Sequence, residues 1–336
     1  MKREEVILLA HGDGGALTRE LIENVFLKHF QSGELRALGD AALFPVQEGR
    51  LAFTTDSFVV DPVFFPGGDI GKLAVCGTVN DLAVSGARPL YLAASFIIEE
   101  GFSLSSLEIL ASSMSAACRA AGVKIAAGDT KVVERGHADK IFITTTGVGR
   151  VPDGLDLGYH RLCPGDRVIL NGCVGSHGLA VLTARENLGL AGQIESDCAP
   201  LNHLVEKLLD RFEGIKIMRD LTRGGLATSL KEIAVAAGVD FQVEEGHVPV
   251  APRVRGAAEM LGLDPLYLAN EGKFVAVIEA AQADAAVELM RSDPFGREAR
   301  AIGEVLAGTG NVYLKTMTGG TRLLGFLTGA PLPRIC

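Results

Sequence analysis

The chain has 336 residues and a formal net charge of −9. That length suits two domains with a core each, the charge argues against a nucleic-acid backbone as main partner, and no apolar stretch approaches the roughly 18 residues that would span a bilayer. The apolar run Val6–Ala10 follows Glu4 and Glu5 and is too short for a secretion signal, so the expected location is the cytoplasm.

The elements come in two groups. Leu51–Val60 reads as a strand that runs into Asp61-Pro62 and a Pro66-Gly67-Gly68 turn. Asp69–Ser85 predicts a helix with Asp69 as N-cap and Gly86 as its stop, and Leu90–Ile98 predicts a strand. A helix follows from about Ser105, where Ser105 and Glu108 have capping-box spacing, to Gly122. Val123–Ala127 and Lys140–Val148 complete a βαβ-type, layered α/β or α+β pattern. Turn dipeptides between Pro152 and Asp166 mark a boundary, giving an N-terminal unit of residues 1–150 and a C-terminal unit of residues 160–328. The second unit reads as strand Arg167–Leu170, a glycine turn at Gly172–Gly178 leading into a helix, helix Leu226–Ala237, strand Phe274–Ile278, helix Ala283–Arg291, and short strands near Ala301–Val305 and Val312–Lys315. Residues 329–336 form an extended tail, because Pro331 and Pro333 exclude helix or central strand.

Four aspartates recur at strand ends or glycine-punctuated turns: Asp40, Asp56, Asp81 and Asp129. Carboxylates suit a hard cation such as Mg²⁺ that bridges to nucleotide phosphates, yet each alone fits a turn or cap equally well. Asn80-Asp81 lies deep in an apolar helical run, where an unpartnered carboxylate would be costly. Glycine-rich turns at His11–Gly15 and Gly67–Lys72, with Gly68 and Lys72, could let backbone N–H groups approach phosphate, as could Arg223-Gly224-Gly225. Neither of the first two has P-loop or dinucleotide-fold spacing. Lys131 follows Gly128-Asp129-Thr130 and reads as a phosphate contact or as the ion-pair partner of Asp129. Glu271, before the apolar strand Phe274–Ile278, is a general base if desolvated and otherwise an exposed turn acid. The six cysteines show no CxxC pair, so neither a zinc site nor a disulfide framework is expected. Cys76, Cys118 and Cys173 read as buried apolar residues. Cys336 ends the chain on a proline-stiffened tail, where a thiol would be accessible and mobile.

Taken together, His11-Gly12-x-Gly14-Gly15, the segment from Thr55-Asp56-Ser57 to Asn80-Asp81, Gly128–Val133, Arg219–Gly225, Ala269–Lys273 and the final Pro333-Arg334-Ile335-Cys336 resemble the HypE family, the carbamoyl dehydratases of [NiFe]-hydrogenase maturation. The resemblance implies an α/β (α+β), PurM-like two-domain fold of the aminoimidazole ribonucleotide synthetase superfamily, with the N-terminal domains of a homodimer sharing a β-barrel. It implies that HypF carbamoylates Cys336, that ATP and Mg²⁺ then drive dehydration to S-cyanocysteine, and that cyanide passes to iron on a HypC–HypD complex. The catalytic residues it suggests are Cys336, Glu271 as base and Lys131 assisting. The nucleotide site would draw on Asp40, Asp56, Gly68, Lys72, Asn80, Asp81, Gly128, Asp129, Thr130, Asp220 and Arg223, with Asp40, Asp56, Asp81 and Asp129 on metal. The rival readings are another synthetase or kinase of the superfamily acting on a small molecule, and a non-catalytic carrier that presents Cys336.

Overall fold

The computed structural model describes residues 15–21, 23, 42–46, 49–186, 188, 193–329 and 332–336. After a short helix α1 (Ala16–Leu21), the first half forms a five-stranded sheet from β1 (Ala42–Val46), β2 (Gly49–Phe58), β5 (Arg88–Glu99), β6 (Lys124–Val133) and β7 (Ile141–Val151), in the order β1-β2-β7-β5-β6. A small hairpin, β3 (Phe64–Phe65) and β4 (Gly68–Asp69), precedes helix α2 (Ile70–Val84). The β5–β6 pair is parallel and is bridged by helix α3 (Leu104–Ala121); the other pairs are antiparallel.

Sequence explains the layering. From Ile141 to Val151, β7 alternates between buried and less buried residues, the period-two signature of a sheet with one covered face. The α2 helix is apolar on nearly every side and buried on nearly every side, from Ile70 to Val84. It fits because it lies between the first sheet and the second half, touching helix α5 (Asn202–Arg211) and strand β9 (Ile215–Asp220). Asp69 caps it, accepting N–H bonds from Gly71 and Lys72 at 2.8 and 2.9 Å. The start of α3 differs from expectation. Its N-cap is Ser103, whose Oγ accepts from Ser106 N–H, so Ser105 and Glu108 form no capping box.

The second half is a seven-stranded sheet ordered β14-β13-β10-β12-β8-β11-β9. Its strands are β8 (Arg167–Leu170), β9, β10 (Val239–Glu244), β11 (Phe274–Ile278), β12 (Arg300–Ala307), β13 (Val312–Lys315) and β14 (Thr321–Leu324). Helices α4 (Ser176–Arg185), α5, α6 (Gly225–Ala237), α7 (Pro252–Leu261) and α8 (Ala280–Arg291) pack around it. All of β11 is buried, and its alternate residues feed two separate apolar clusters, one on each face. The sequence reading holds no element at α5, β9, β10, α7 or β14. In β9 the apolar run is interrupted by Lys216, which is buried and paired with Asp166 at 2.9 Å. A third cluster joins the halves: Phe58, Val79, Ile143 and neighbours pack with Val181, Cys198, Ala269 and Ile335.

Candidate active site

The strand β2, the helix α2 and the end of β9 bring acidic groups to the junction of the two halves. Asp56 points from the covered face of β2 and accepts a hydrogen bond from Thr78 Oγ1 at 3.2 Å. Asp81, one turn further along α2, accepts from Thr54 Oγ1 at 2.9 Å. Burial raises the Asp56 pKa, with Asp81, Thr78 and Arg223 pulling it back down. Asp220, at the C-terminal end of β9, is buried nearby.

Glu271 is 2% exposed, and its Oε1 has no hydrogen-bond partner among the described residues. Burial raises its pKa well above the carboxylate range, with further upward pushes from Cys198, Asp220, Asp197 and Asp56. Its backbone is fixed on both sides: the N–H donates to Asp197 Oδ1 at 3.1 Å, and the carbonyl accepts from Asn80 Nδ2 at 3.2 Å and Ala199 N–H at 3.3 Å. A carboxyl held rigidly, in a dry acidic setting and with a free oxygen, is arranged for proton transfer.

The C-terminal tail fills this junction instead of projecting into solvent. Arg185 donates to the carbonyls of Pro333 and Arg334, both at 2.6 Å, and to that of Asp61 at 2.7 Å. His177 Nε2 lies 2.7 Å from the Ile335 carbonyl, and Val59 N–H donates to the main-chain oxygen of Cys336 at 3.1 Å. Arg334 pairs with Asp139 and donates to the Val59 carbonyl, while its own backbone sits at φ +52°, a region uncommon outside glycine. Ile335 is buried in the cluster that joins the halves. Cys336 is thus docked and partly buried; desolvation pushes its thiol up to about 12, against the pull of Arg223 and with Glu271, Asp56 and Asp220 adding to the rise. A docked thiol of this kind is protonated and a poor nucleophile.

Of the residues expected from sequence, Asp56, Asp81, Asp220, Arg223, Glu271 and Cys336 come together. Gly128, Asp129, Thr130 and Lys131 do not join them within one chain. They lie inside β6, not on a turn, and the register runs Ser57–Thr144–Ser95–Asp129 across the sheet. Asp129 is thus about 14 Å from β2 at ~4.8 Å per strand, on the face opposite Asp56. Lys131 pairs with Asp129 at 2.8 Å and is exposed, as the ion-pair reading expected. A Cβ at Gly128 would lie 2.6 Å from the Ala94 carbonyl oxygen, so that glycine permits close strand approach.

The other expected nucleotide residues are occupied locally. The three hydrogen bonds of Asn80 all reach backbone of the second half, at Ala199, Glu271 and Leu201. Lys72 Nζ donates to the Gly67 carbonyl, and the N–H groups of Gly71 and Lys72 are already taken by Asp69. The glycine turn instead seats the second half: Ser196 N–H donates to the Pro66 carbonyl, and a Cβ at Gly67 would meet Ser196 backbone at 2.7 Å. Gly68 lies in β4, where a Cβ would meet the Phe65 ring at 2.9 Å. Asp40 and the His11–Gly14 stretch lie outside the described residues. Cys76 and Cys118 are buried as expected, whereas Cys173 is only partly so. His177, Arg185, Ser196, Asp197 and Asp139 are absent from the sequence reading. Of these only His177 carried a signal, as a histidine in a glycine turn opening a helix.

The sequence matches the AIR synthase related protein family, its N-terminal domain over residues 38–151 and its C-terminal domain over residues 163–315. Carbamoyl dehydratase HypE of Cupriavidus necator is 51% identical over 330 residues, covering 98% of this chain and 94% of that protein. The fold is similar to that of HypE in a crystal structure of a HypE–HypF complex, with a TM-score of 0.87 and 48% identity over 91% of this chain and 99% of the other. It is also similar to a HypE crystal structure in complex with ATP, with a TM-score of 0.83 and 47% identity over 98% of this chain and all of the other.

Proposed function

We propose a function from the premise that this chain belongs to the HypE family of carbamoyl dehydratases, built on the AIR synthase related fold. It is an ATP-dependent carbamoyl dehydratase of hydrogenase maturation, and its substrate is its own Cys336 once that thiol is carbamoylated. The observation that carries the substrate assignment is the docked tail, which delivers Cys336 to Glu271, Asp56, Asp220 and Arg223.

The chemistry balances on one carboxamide and one nucleotide. The carboxamide oxygen attacks the γ-phosphorus of ATP, ADP leaves, and loss of phosphate with both N–H protons gives S–C≡N, ADP and inorganic phosphate. An amide oxygen is a poor leaving group and phosphate a good one, so the phosphoryl group makes elimination possible. Glu271, with a free oxygen in a dry site, takes one N–H proton, and the second leaves with the departing phosphate. Arg223 places a guanidinium by the reacting end of the tail. Mg²⁺ suits Asp56 and Asp81, two carboxyls that interact at the junction and offer hard oxygen ligands. Bound there, it would neutralise the acidic wall and carry nucleotide phosphates. Among the described residues no set of three or more acidic, histidine or cysteine side chains is gathered for a metal.

HypF is the carbamoyl donor in this reading, and a HypC–HypD complex is the cyanide acceptor. Because the docked thiol is held protonated, carbamoylation takes place with the tail outside, on the donor, in this reading. No helix among the described residues is long and apolar enough to cross a membrane, and this reading assigns the work to the cytoplasm. The test is phosphate release from chain carbamoylated beforehand. One phosphate per modified tail is expected, with negligible release from unmodified chain; equal release from both would favour a small-molecule substrate.

The open face of the first sheet supports a homodimer in this reading. Phe53, Tyr91 and Ile97 are 41%, 54% and 45% exposed on the side that no described element covers, the side that also carries Asp129 and Lys131. A second copy of this sheet closing over that face would form the shared barrel and bring Asp129 and Lys131 to the partner. Phe53→Asp should convert the dimer to monomer in analytical ultracentrifugation. An unchanged dimer would put the interface elsewhere.

A further inference from the structure

We propose that His177 and Ser196 form a hydrogen-bonded relay that senses the docked tail and holds Glu271 in its working position. The inference deepens the reading of Cys336 as the reacting thiol and rests on it. The chain of donors is fixed at both ends. The Ile335 carbonyl can only accept, so His177 Nε2, 2.7 Å away, carries the ring proton. His177 is fully buried, and desolvation lowers its pKa, so the ring is neutral and Nδ1 is bare. Nδ1 must then accept, and the hydroxyl of Ser196 at 2.8 Å donates to it. Ser196 Oγ in turn accepts from Cys198 N–H at 3.1 Å.

The far end of the relay is the backbone that places Glu271. Asp197 Oδ1 accepts from Glu271 N–H, its Oδ2 pairs with Lys273 at 3.1 Å, and Ala199 N–H donates to the Glu271 carbonyl. Residues 196–199 therefore lie between the tail and Glu271, gripped from one side by His177 and from the other by the base. The Phe65 ring, 5.4 Å away and edge-on, keeps the imidazole from swinging aside. When the tail leaves, His177 loses its acceptor and a buried N–H is left unmatched. The ring then has no reason to keep its proton on Nε2. Ser196 and the Cys198 amide lose their fixed roles with it. Docking and base placement are one event in this arrangement: His177 and Ser196 are positioning residues that touch no reacting atom.

The test uses the full chain, carbamoylated beforehand, and follows single-turnover conversion with Mg-ATP by intact mass. His177→Phe and Ser196→Ala should each slow conversion at least about tenfold, and the double variant should be no slower than the worse single one. Ser196→Thr, which keeps a hydroxyl, should stay within about threefold of wild type, and ATP affinity by calorimetry should be unchanged in all. In a second arm, iodoacetamide labelling of Cys336 in unmodified chain, read by peptide mass spectrometry, should be faster in both His177→Phe and Ser196→Ala. Wild-type conversion by Ser196→Ala beside a slow His177→Phe would overturn the relay, leaving the ring as packing. Multiplicative losses in the double variant would also overturn it. If wild-type chain fails to convert at all, the reading of Cys336 fails, and the labelling arm still decides the relay: Ser196→Ala labelling at the wild-type rate rejects it.

Discussion

Glu271→Gln should lower the single-turnover dehydration rate by about 10²- to 10⁴-fold, the span expected for loss of a general base, while raising thermal stability at neutral pH. The two effects share one cause. Burial beside Cys198, Asp220, Asp197 and Asp56 raises the Glu271 pKa in the folded chain. Between the unfolded carboxylate value and that raised value the folded state binds more protons than the unfolded one, so stability falls as pH rises through the interval. Glutamine carries no such dependence. The variant should match wild type below about pH 4, where both states hold the proton, and exceed it increasingly above. The rate runs the other way: only the ionised carboxylate accepts a proton, so wild-type conversion should climb with pH through the raised value, and the Glu271→Gln profile should be flat across it. Thermal melts and single-turnover rates on the same samples from pH 5 to 9 check both. A Glu271→Gln chain with near-wild-type rate would move the base elsewhere. A loss of stability at pH 8 would mean that the carboxylate is held by a partner that the fold does not reveal.

Cys336→Ala should abolish formation of the cyanated tail and leave fold and ATP binding intact. The tail's grip does not depend on the thiol: Arg185, His177 and Val59 hold backbone carbonyls, and Arg334 pairs with Asp139. Removing one sulfur from a packed site costs about 1 kcal/mol, or a melting shift of about 1–2 °C for a chain of this size. ATP affinity by calorimetry should be unchanged within error, and phosphate release should fall to background. A variant that still releases phosphate with the carbamoyl donor present would point to another acceptor on the chain.

The sequence shows the site in outline and leaves its wiring hidden. Asp56, Arg223 and Glu271 are legible beside turns, Asp81 as a carboxylate deep in an apolar helical run, Asp220 only through the resemblance carried by Arg219–Gly225, and Cys336 because a cysteine ends a proline-bound tail. Asn80 is legible as a buried polar residue, but its work, binding the backbone of the opposite half, requires knowing which segments meet. Asp129 and Lys131 follow a glycine and read as a turn, yet Gly128 is there for strand-to-strand approach, and the segment is an edge strand. The gap is widest in the second half. Lys216 is buried in β9 only because Asp166, fifty residues earlier in the chain, neutralises it, and no local pattern announces such a pair. The docked tail is likewise a matter of long-range contact. Arg185 and His177 on α4 hold it by backbone carbonyls, which any sequence supplies.

The most direct test of the account is the intact mass of the purified chain after incubation with HypF, carbamoyl phosphate and Mg-ATP, followed in time beside a Cys336→Ala control. The account predicts a gain of about 43 Da that converts to about 25 Da, CONH₂ and then CN in place of the thiol hydrogen, with neither seen in the control. An adduct that persists in Cys336→Ala, or no adduct on wild type with an active donor, would contradict it.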